Sequence, residues 1–285
     1  MKRKEFIKKT MATGVSVLTV PALIKAEQNT ASISRVGFNH LPNKEYKTMN
    51  TVLHKSSSRG QVNHGWLNAR HSFSFANYYN PDRMNFGVLR VLNDDVISGG
   101  NGFGLHPHEN MEIISIPLDG ALAHKDNMGN ESVIKSGDIQ VMSAGTGIMH
   151  SEFNHSADSD VKLLQIWLDP KTKNVMPRYE QITLDTKKVK NKMHQILSPN
   201  KQDDGVWIHQ NAWFHLGNID KGKQVNYTLK DAQNGVYAFI LEGEVSIENQ
   251  VLNKRDGFGV WNTKEIKIIT NSNSKILLLE VPMEN

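Results

Sequence analysis

Two short patterns place side chains where they could do chemistry: His106-Pro107-His108 and His150-Ser151-Glu152. On a β-strand, residues i and i+2 point to the same face. Each pattern therefore aims two ligating groups at one point. Neutral imidazole is a common ligand for iron, copper, zinc and nickel. Together the pairs offer three nitrogens and one carboxylate, and an octahedral metal so held keeps up to two positions open. Open positions let a metal bind substrate or dioxygen. A single His-x-His is often a surface accident. Two paired patterns some forty residues apart, in strand-rich sequence, argue for a shared site. Glu112 competes for the carboxylate role: it stands four residues after His108, and strand parity alone does not choose between Glu112 and Glu152.

Composition narrows the chemistry. The 285-residue chain has no cysteine, which excludes disulfides, thiolate metal sites and a cysteine nucleophile. Any metal is held by nitrogen and oxygen. The pI near 9.0 is local in origin. Residues 1–26 carry six basic side chains against Glu5, and without them the net charge of +4 falls to about −1. The body therefore gives no electrostatic case for nucleic-acid binding. No nucleotide or phosphate-loop signature is present.

The elements that must position these residues read as short strands. Phe86–Leu92, Met111–Leu118 and Leu163–Leu168 are apolar runs separated by turn signals at Asp119-Gly120, Met128-Gly129-Asn130 and Ser136-Gly137-Asp138. The pattern lapses over 171–205, a connector richer in Lys, Pro, Asp and Asn. It returns from about 206 with Val236–Leu241, Gly243–Ile247, Gly257–Trp261, Ile266–Ile269 and Ile276–Val281. This predicts an all-β chain of sandwiches or barrels. Leu118-Asp119-Gly120 matches Leu241-Glu242-Gly243, and Ser136-Gly137-Asp138 matches Arg255-Asp256-Gly257. The two halves read as an internal repeat, two related barrels.

Residues 1–26 run from basic to apolar to small, the order of a secretory signal. The apolar stretch 11–24 is too short to span a bilayer comfortably. Arg3-Lys4-Glu5-Phe6-Ile7-Lys8 resembles a twin-arginine export signal with Lys4 in place of the second Arg. Residues 27–50 form a polar spacer. The expectation is an exported, periplasmic protein, a monomer with no membrane span once the leader is removed, or a cytoplasmic one if the leader does not function.

Gly100-x5-His106-x-His108-x3-Glu112, followed by Gly120, resembles the first cupin motif. Gly147-x2-His150-x3-Asn154 follows the second loosely, without its usual Pro. The stretch Ser143-Ala-Gly-Thr-Gly-Ile-Met-His150-Ser-Glu152 is similar to the pirin version of that motif. So are His64-Gly-Trp66, His71-Ser-Phe73-Ser-Phe75-Ala-Asn-Tyr78-Tyr79, Gly104-Leu-His106-Pro-His108 and Gln165-Ile-Trp167. The resemblance is to the pirin family, on the side of bacterial pirins described as quercetin 2,3-dioxygenases. It implies a bicupin of two packed jelly-roll barrels. The N-terminal barrel (51–170) would hold one divalent metal, iron by preference, with copper, zinc, manganese or nickel as alternatives. Its ligands would be His106, His108, His150 and Glu152, leaving Glu112 just outside the ligand set. The C-terminal barrel (206–285) would hold none; His209 and His215 stand alone there.

The implied activity is dioxygen-dependent ring cleavage of a flavonol or related phenol, with Glu152 or Glu112 accepting the substrate proton. A second expectation is a non-catalytic metal or redox sensor that regulates a partner. A third is a hydrolase or isomerase using zinc-bound water. His71 begins an aromatic run and is expected to line the barrel. His155, at odd parity from His150, is not. Trp66, Phe73, Phe75, Tyr78 and Tyr79 read as core and inter-barrel packing that could equally wall a flat substrate.

Overall fold

The structure, a computed structural model, describes residues 48–185 and 187–284. The leader (1–26) and residues 27–47 of the spacer lie outside the described residues. The strands of the first half are β1 (Asn50–His54), β2 (Gly60–Asn63), β3 (Leu67–His71), β4 (Leu89–Ile97), β5 (Gly102–His108), β6 (Glu112–Asp119), β7 (Ala121–Asp126), β8 (Glu131–Lys135), β9 (Asp138–Ser143), β10 (Ile148–Asn154), β11 (Val161–Leu168) and β12 (Arg178–Thr183). Those of the second are β13 (His194–Ser198), β14 (Val206–Trp207), β15 (Trp213–Ile219), β16 (Gln224–Thr228), β17 (Asn234–Glu242), β18 (Glu244–Ile247), β19 (Gln250–Asn253), β20 (Gly257–Trp261), β21 (Glu265–Thr270) and β22 (Ser274–Pro282). Among the described residues no helix is long and apolar enough to cross a membrane.

Each barrel pairs a seven-stranded sheet with a four-stranded one, and the two share one arrangement except at one edge, where β2 and β3 are antiparallel but β13 and β14 parallel. The large sheets run β12-β9-β6-β11-β4-β3-β2 and β1-β20-β17-β22-β15-β13-β14; the small sheets run β5-β10-β7-β8 and β16-β21-β18-β19. This is a bicupin. The edge strands are exchanged across the chain. β1, near the start, completes the second barrel by pairing with β20, and β12, inside the stretch expected to be a connector, completes the first by pairing with β9. Composition does not reveal such edges, because half-buried edge strands carry few apolar residues. The polar stretch before residue 206 likewise contains β13 and ends at β14.

The repeat is visible in the turns. Gly120 and Gly243 close β6 and β17 with φ of 76° and 86°, a region that costs other residues about 1 kcal/mol or more. The next turn corrects the expected alignment by one residue. Gly137 (φ 98°) corresponds to Arg255 (φ 66°), and Asp138 to Asp256. Each aspartate accepts from the backbone N–H three residues earlier, Lys135 at 2.9 Å and Asn253 at 3.0 Å.

The strand interiors explain the continuous apolar runs. A sheet covered on both faces needs apolar residues at every position. Leu277 and Leu279 of β22 and Tyr237 and Phe239 of β17 join Ile114, Leu164 and Ile166 of the first barrel in one core between the large sheets. The alternate residues Val236, Ala238, Ile276 and Leu278 fill the second barrel. The first barrel differs. Its apolar filling is split into two clusters, around Leu122 and Leu163 and around Ile113 and Met142. Asn93, Asp95, Ser115, His124, Glu152 and Gln165 are buried in the same barrel.

Candidate metal centre

β5 and β10 lie antiparallel in the small sheet of the first barrel, with His106 directly opposite His150. Alternation puts His106 and His108 on one face. The ligating atoms of His106, His108 and His150 all lie within 4.8 Å of one another. One ion with metal–nitrogen bonds of about 2 Å can bridge that span after small ring adjustments. Nδ1 of His106 donates to the carbonyl of Gly104 at 2.7 Å, so its Nε2 keeps a lone pair. Nε2 of His150 is buried and has no hydrogen-bond partner. A buried polar atom without a partner is costly unless something outside the chain satisfies it.

Glu152 shares the interior face but not the same point. The ladder shifts between His150 and Glu152, and two donors hold the carboxylate against the large sheet. Ser115 donates to Oε1 at 3.3 Å and Gln165 to Oε2 at 2.7 Å, while Trp167 Nε1 donates to Gln165 at 3.3 Å. The carboxylate therefore groups with His150 and His124, within 4.8 Å, rather than with His106 and His108. The structure brings the three predicted imidazoles together and sets the predicted carboxylate beside the third.

Glu112 is a correction. The parity argument assumed one continuous strand, but β5 ends at His108 and a new strand begins at Glu112. Its carboxylate accepts from Ser143 at 2.8 Å. It faces Arg178, on the side of the large sheet that carries Ile114 into the inter-barrel core. It does not line the cavity described next.

That cavity, of about 420 Å³, opens in front of the imidazoles. Trp66, Phe75, Phe103, Ile113 and Trp167 supply apolar walls, and Asn93, Asp95, Gln165 and Glu152 supply polar groups. Electrostatics there favour neutral groups. Burial, then the neighbouring His106, lowers His108 to about 4. Burial and the other histidines lower His150 to about 3. Both imidazoles therefore offer lone pairs at neutral pH. Burial pushes Glu152 up to about 7, against the pull of its two donors. Asp95, 4% exposed with Oδ1 unpartnered, is pushed up to about 8 by burial, then by Asp94 and Glu152.

The other predicted residues disperse. His71 is buried and bonds Asn93 at 2.7 Å, one side chain short of the cavity. Phe73 belongs to the inter-barrel core, and Tyr79 is 72% exposed. His155 is exposed. Buried His215 lies 3.2 Å from the Tyr227 hydroxyl, which donates to Glu280 at 2.6 Å, a closed network. Among the described residues, both groups of three potential metal ligands lie in the first barrel. The counterpart strands of the second, β16 and β21, turn Tyr227, Ile266 and Ile268 inward.

Sequence reasoning missed Asp95, His124, Asp126 and Gln165. A legible signal existed for the first: in β4 the inward set Asn93, Asp95, Ile97 places a charge at a core position. His124-Lys125-Asp126 has the same i, i+2 form as the two ligand patterns.

The comparisons with known proteins agree with this architecture. Residues 52–168 match the family model described as Pirin, and residues 195–281 that described as Quercetinase C-terminal cupin domain. The chain is 41% identical over 230 residues to a protein named quercetin 2,3-dioxygenase from Escherichia coli (strain K12), covering 81% of this chain and 98% of that one. It is 37% identical over 222 residues to a pirin-like protein of Caulobacter vibrioides, covering 78% and 95%. The crystal structure of the Escherichia coli bacterial pirin YhhW in complex with nickel(II) superposes with a TM-score of 0.77 at 39% identity, covering 82% of this chain and 99% of that one. With near-complete coverage of these relatives and the same two-barrel architecture, the chain belongs to the pirin family.

Proposed function

We propose that this protein is a metal-dependent dioxygenase that opens the ring of a flavonol or related phenol, as the names of its relatives indicate for them. The observation that carries the reading is the convergence of three imidazoles on a cavity, with His150 Nε2 buried and unpartnered. His106, His108 and His150 hold one divalent ion, and Glu152, beside His150, is the oxygen donor. The all nitrogen and oxygen donor set suits iron(II), our expected native metal, and equally nickel, which the Escherichia coli relative binds in its crystal. A bound divalent metal supplies a Lewis-acid centre and a template for substrate and dioxygen.

The chain's own groups do the rest. Trp66, Phe75 and Trp167 wall the cavity, giving a flat aromatic substrate faces to pack against and excluding water. Glu152, on the cavity wall beside His150, is the carboxylate placed to accept a hydroxyl proton from the substrate. Glu112, bonded to Ser143 on the inter-barrel side, is not positioned for that role. We also propose that residues 1–26 direct export, which the N-terminal mass of the protein recovered from the periplasm checks.

The test is metal analysis by mass spectrometry on protein lacking the leader, with the same sample assayed on quercetin in air and anaerobically. Iron near one per chain with oxygen-dependent ring opening, lost in His106→Ala, His150→Ala and Glu152→Ala, is the expected result. Stoichiometric metal without turnover in air would favour the regulatory reading instead.

A further inference from the structure

Behind His150 lies a buried pair to which no role has been assigned. His124 and Asp126 occupy i and i+2 of β7, with Asp126 opposite His150 and His124 opposite Glu152. Nε2 of His124 is 3.2 Å from Oδ2 of Asp126, and Nδ1 of His124 is 3.4 Å from Nδ1 of His150. A carboxylate only accepts, so the proton in the first contact belongs to His124 Nε2. A neutral imidazole carries one ring proton, so His124 Nδ1 presents a lone pair. The second contact then requires His150 to donate from Nδ1. The buried, unpartnered Nε2 of His150 is left bare.

Asp126 is anchored for this task. Oδ1 accepts from the backbone N–H of Met128 at 2.9 Å and of Asn130 at 3.0 Å, and Oδ2 accepts from Asn130 Nδ2 at 2.8 Å. The Tyr179 ring lies along the other side of His124, centroids 4.7 Å apart. Both side chains of the pair are fully buried.

We infer that Asp126 and His124 form a two-step hydrogen-bond relay that sets the tautomer of His150, directing its bare Nε2 toward the point where His106 and His108 converge. The relay performs inside the barrel what the Gly104 carbonyl performs for His106. Its purpose rests on the metal reading above. Partners of this kind fix ring orientation and basicity of metal-ligating histidines. His124 is then a support and not a ligand of a second metal position, since both its ring nitrogens are committed to hydrogen bonds.

The experiment is ¹⁵N NMR of the histidine rings in the metal-free full chain at pH 8, with nickel(II) titrated calorimetrically. Wild type is expected to show His150 protonated at Nδ1 and bare at Nε2. Asp126→Asn keeps an oxygen for the two backbone donors but turns an NH₂ toward His124. Both rings then reverse tautomer, His150 carries its proton on Nε2, and nickel affinity falls about 10- to 100-fold. His124→Gln, whose carbonyl can accept from His150, retains the wild-type tautomer and affinity within a few-fold. His124→Phe, which keeps ring bulk but accepts nothing, does not. A wild-type His150 protonated at Nε2 overturns the inference, and does so even if Asp126→Asn fails to fold. So does Asp126→Asn with unchanged tautomer and affinity. His124→Phe abolishing binding while Asp126→Asn binds normally would make His124 a ligand and likewise overturn it. The expected tautomer in a wild type that binds no nickel supports the relay and sinks the metal reading.

Discussion

At the scale of single residues, the first barrel holds ionisable groups whose protons are set by burial. Asp95 is the clearest, raised from 3.8 to about 8. An acid whose folded value exceeds its unfolded value binds its proton more tightly in the fold. Its stabilising contribution is therefore present at low pH and is lost as pH rises from about 4 through 8. Asp95→Asn keeps the shape and removes the titration. In the metal-free protein this variant should gain stability over wild type between pH 5 and pH 9, on the order of 1–3 kcal/mol. Urea unfolding at the two pH values measures it, and an equal difference at both would sink the claim. Glu112 is raised to about 7 for the same reason, but in the inter-barrel packing, away from the cavity.

At the scale of elements, the site depends on how closely β5 lies on β10. A Cβ on Gly102 would meet Glu152 O at 2.3 Å and Phe153 Cα at 2.4 Å, backbone atoms that cannot step aside. Gly104, two residues on, has nothing within 4 Å. Gly102→Ala should therefore push β5 from β10 next to the ladder shift, destabilising by about 1–3 kcal/mol and weakening nickel binding. Gly104→Ala should change neither. Thermal melts and calorimetric titration of both variants check this pair, and equal behaviour would contradict it. The edge strands β1 and β12 make a related point. Lys55 and Ser56, just past β1, bond the carboxylate of Asp256 at 2.9 and 2.7 Å, which fastens the exchanged strand to the second barrel.

At the scale of the molecule, one core joins the barrels. Leu279, fully buried, lies among residues of both large sheets. Leu279→Ala should cost about 2–5 kcal/mol. Because that core is shared, calorimetry should show a single unfolding transition that shifts as a whole. Two transitions, only one of them displaced, would refute the coupling. The second barrel, filled with apolar side chains where the first places histidines, then serves the site by buttressing the sheet behind it.

What local geometry controls was legible in the chain before any tertiary contact. Alternation along a strand follows from covalent structure, so the shared faces of His106 with His108 and of His150 with Glu152 were legible; the ladder shift that sets Glu152 apart from the other imidazoles was not. Turn glycines and apolar runs likewise marked an all-β, two-barrel chain. What depends on which strands meet emerged from the fold. It separated Glu112 from His108 by starting a new strand between them. It exchanged β1 and β12 across the barrels, and it moved the counterpart of Gly137 in the second barrel from Asp256 to Arg255. Register, not sequence spacing, brought Asp126 and His124 of β7 behind His150 and Glu152, and brought Asp95 of β4 into their cavity. Pairing between strands far apart in the chain is set by the total burial it achieves, and no window of sequence contains that sum.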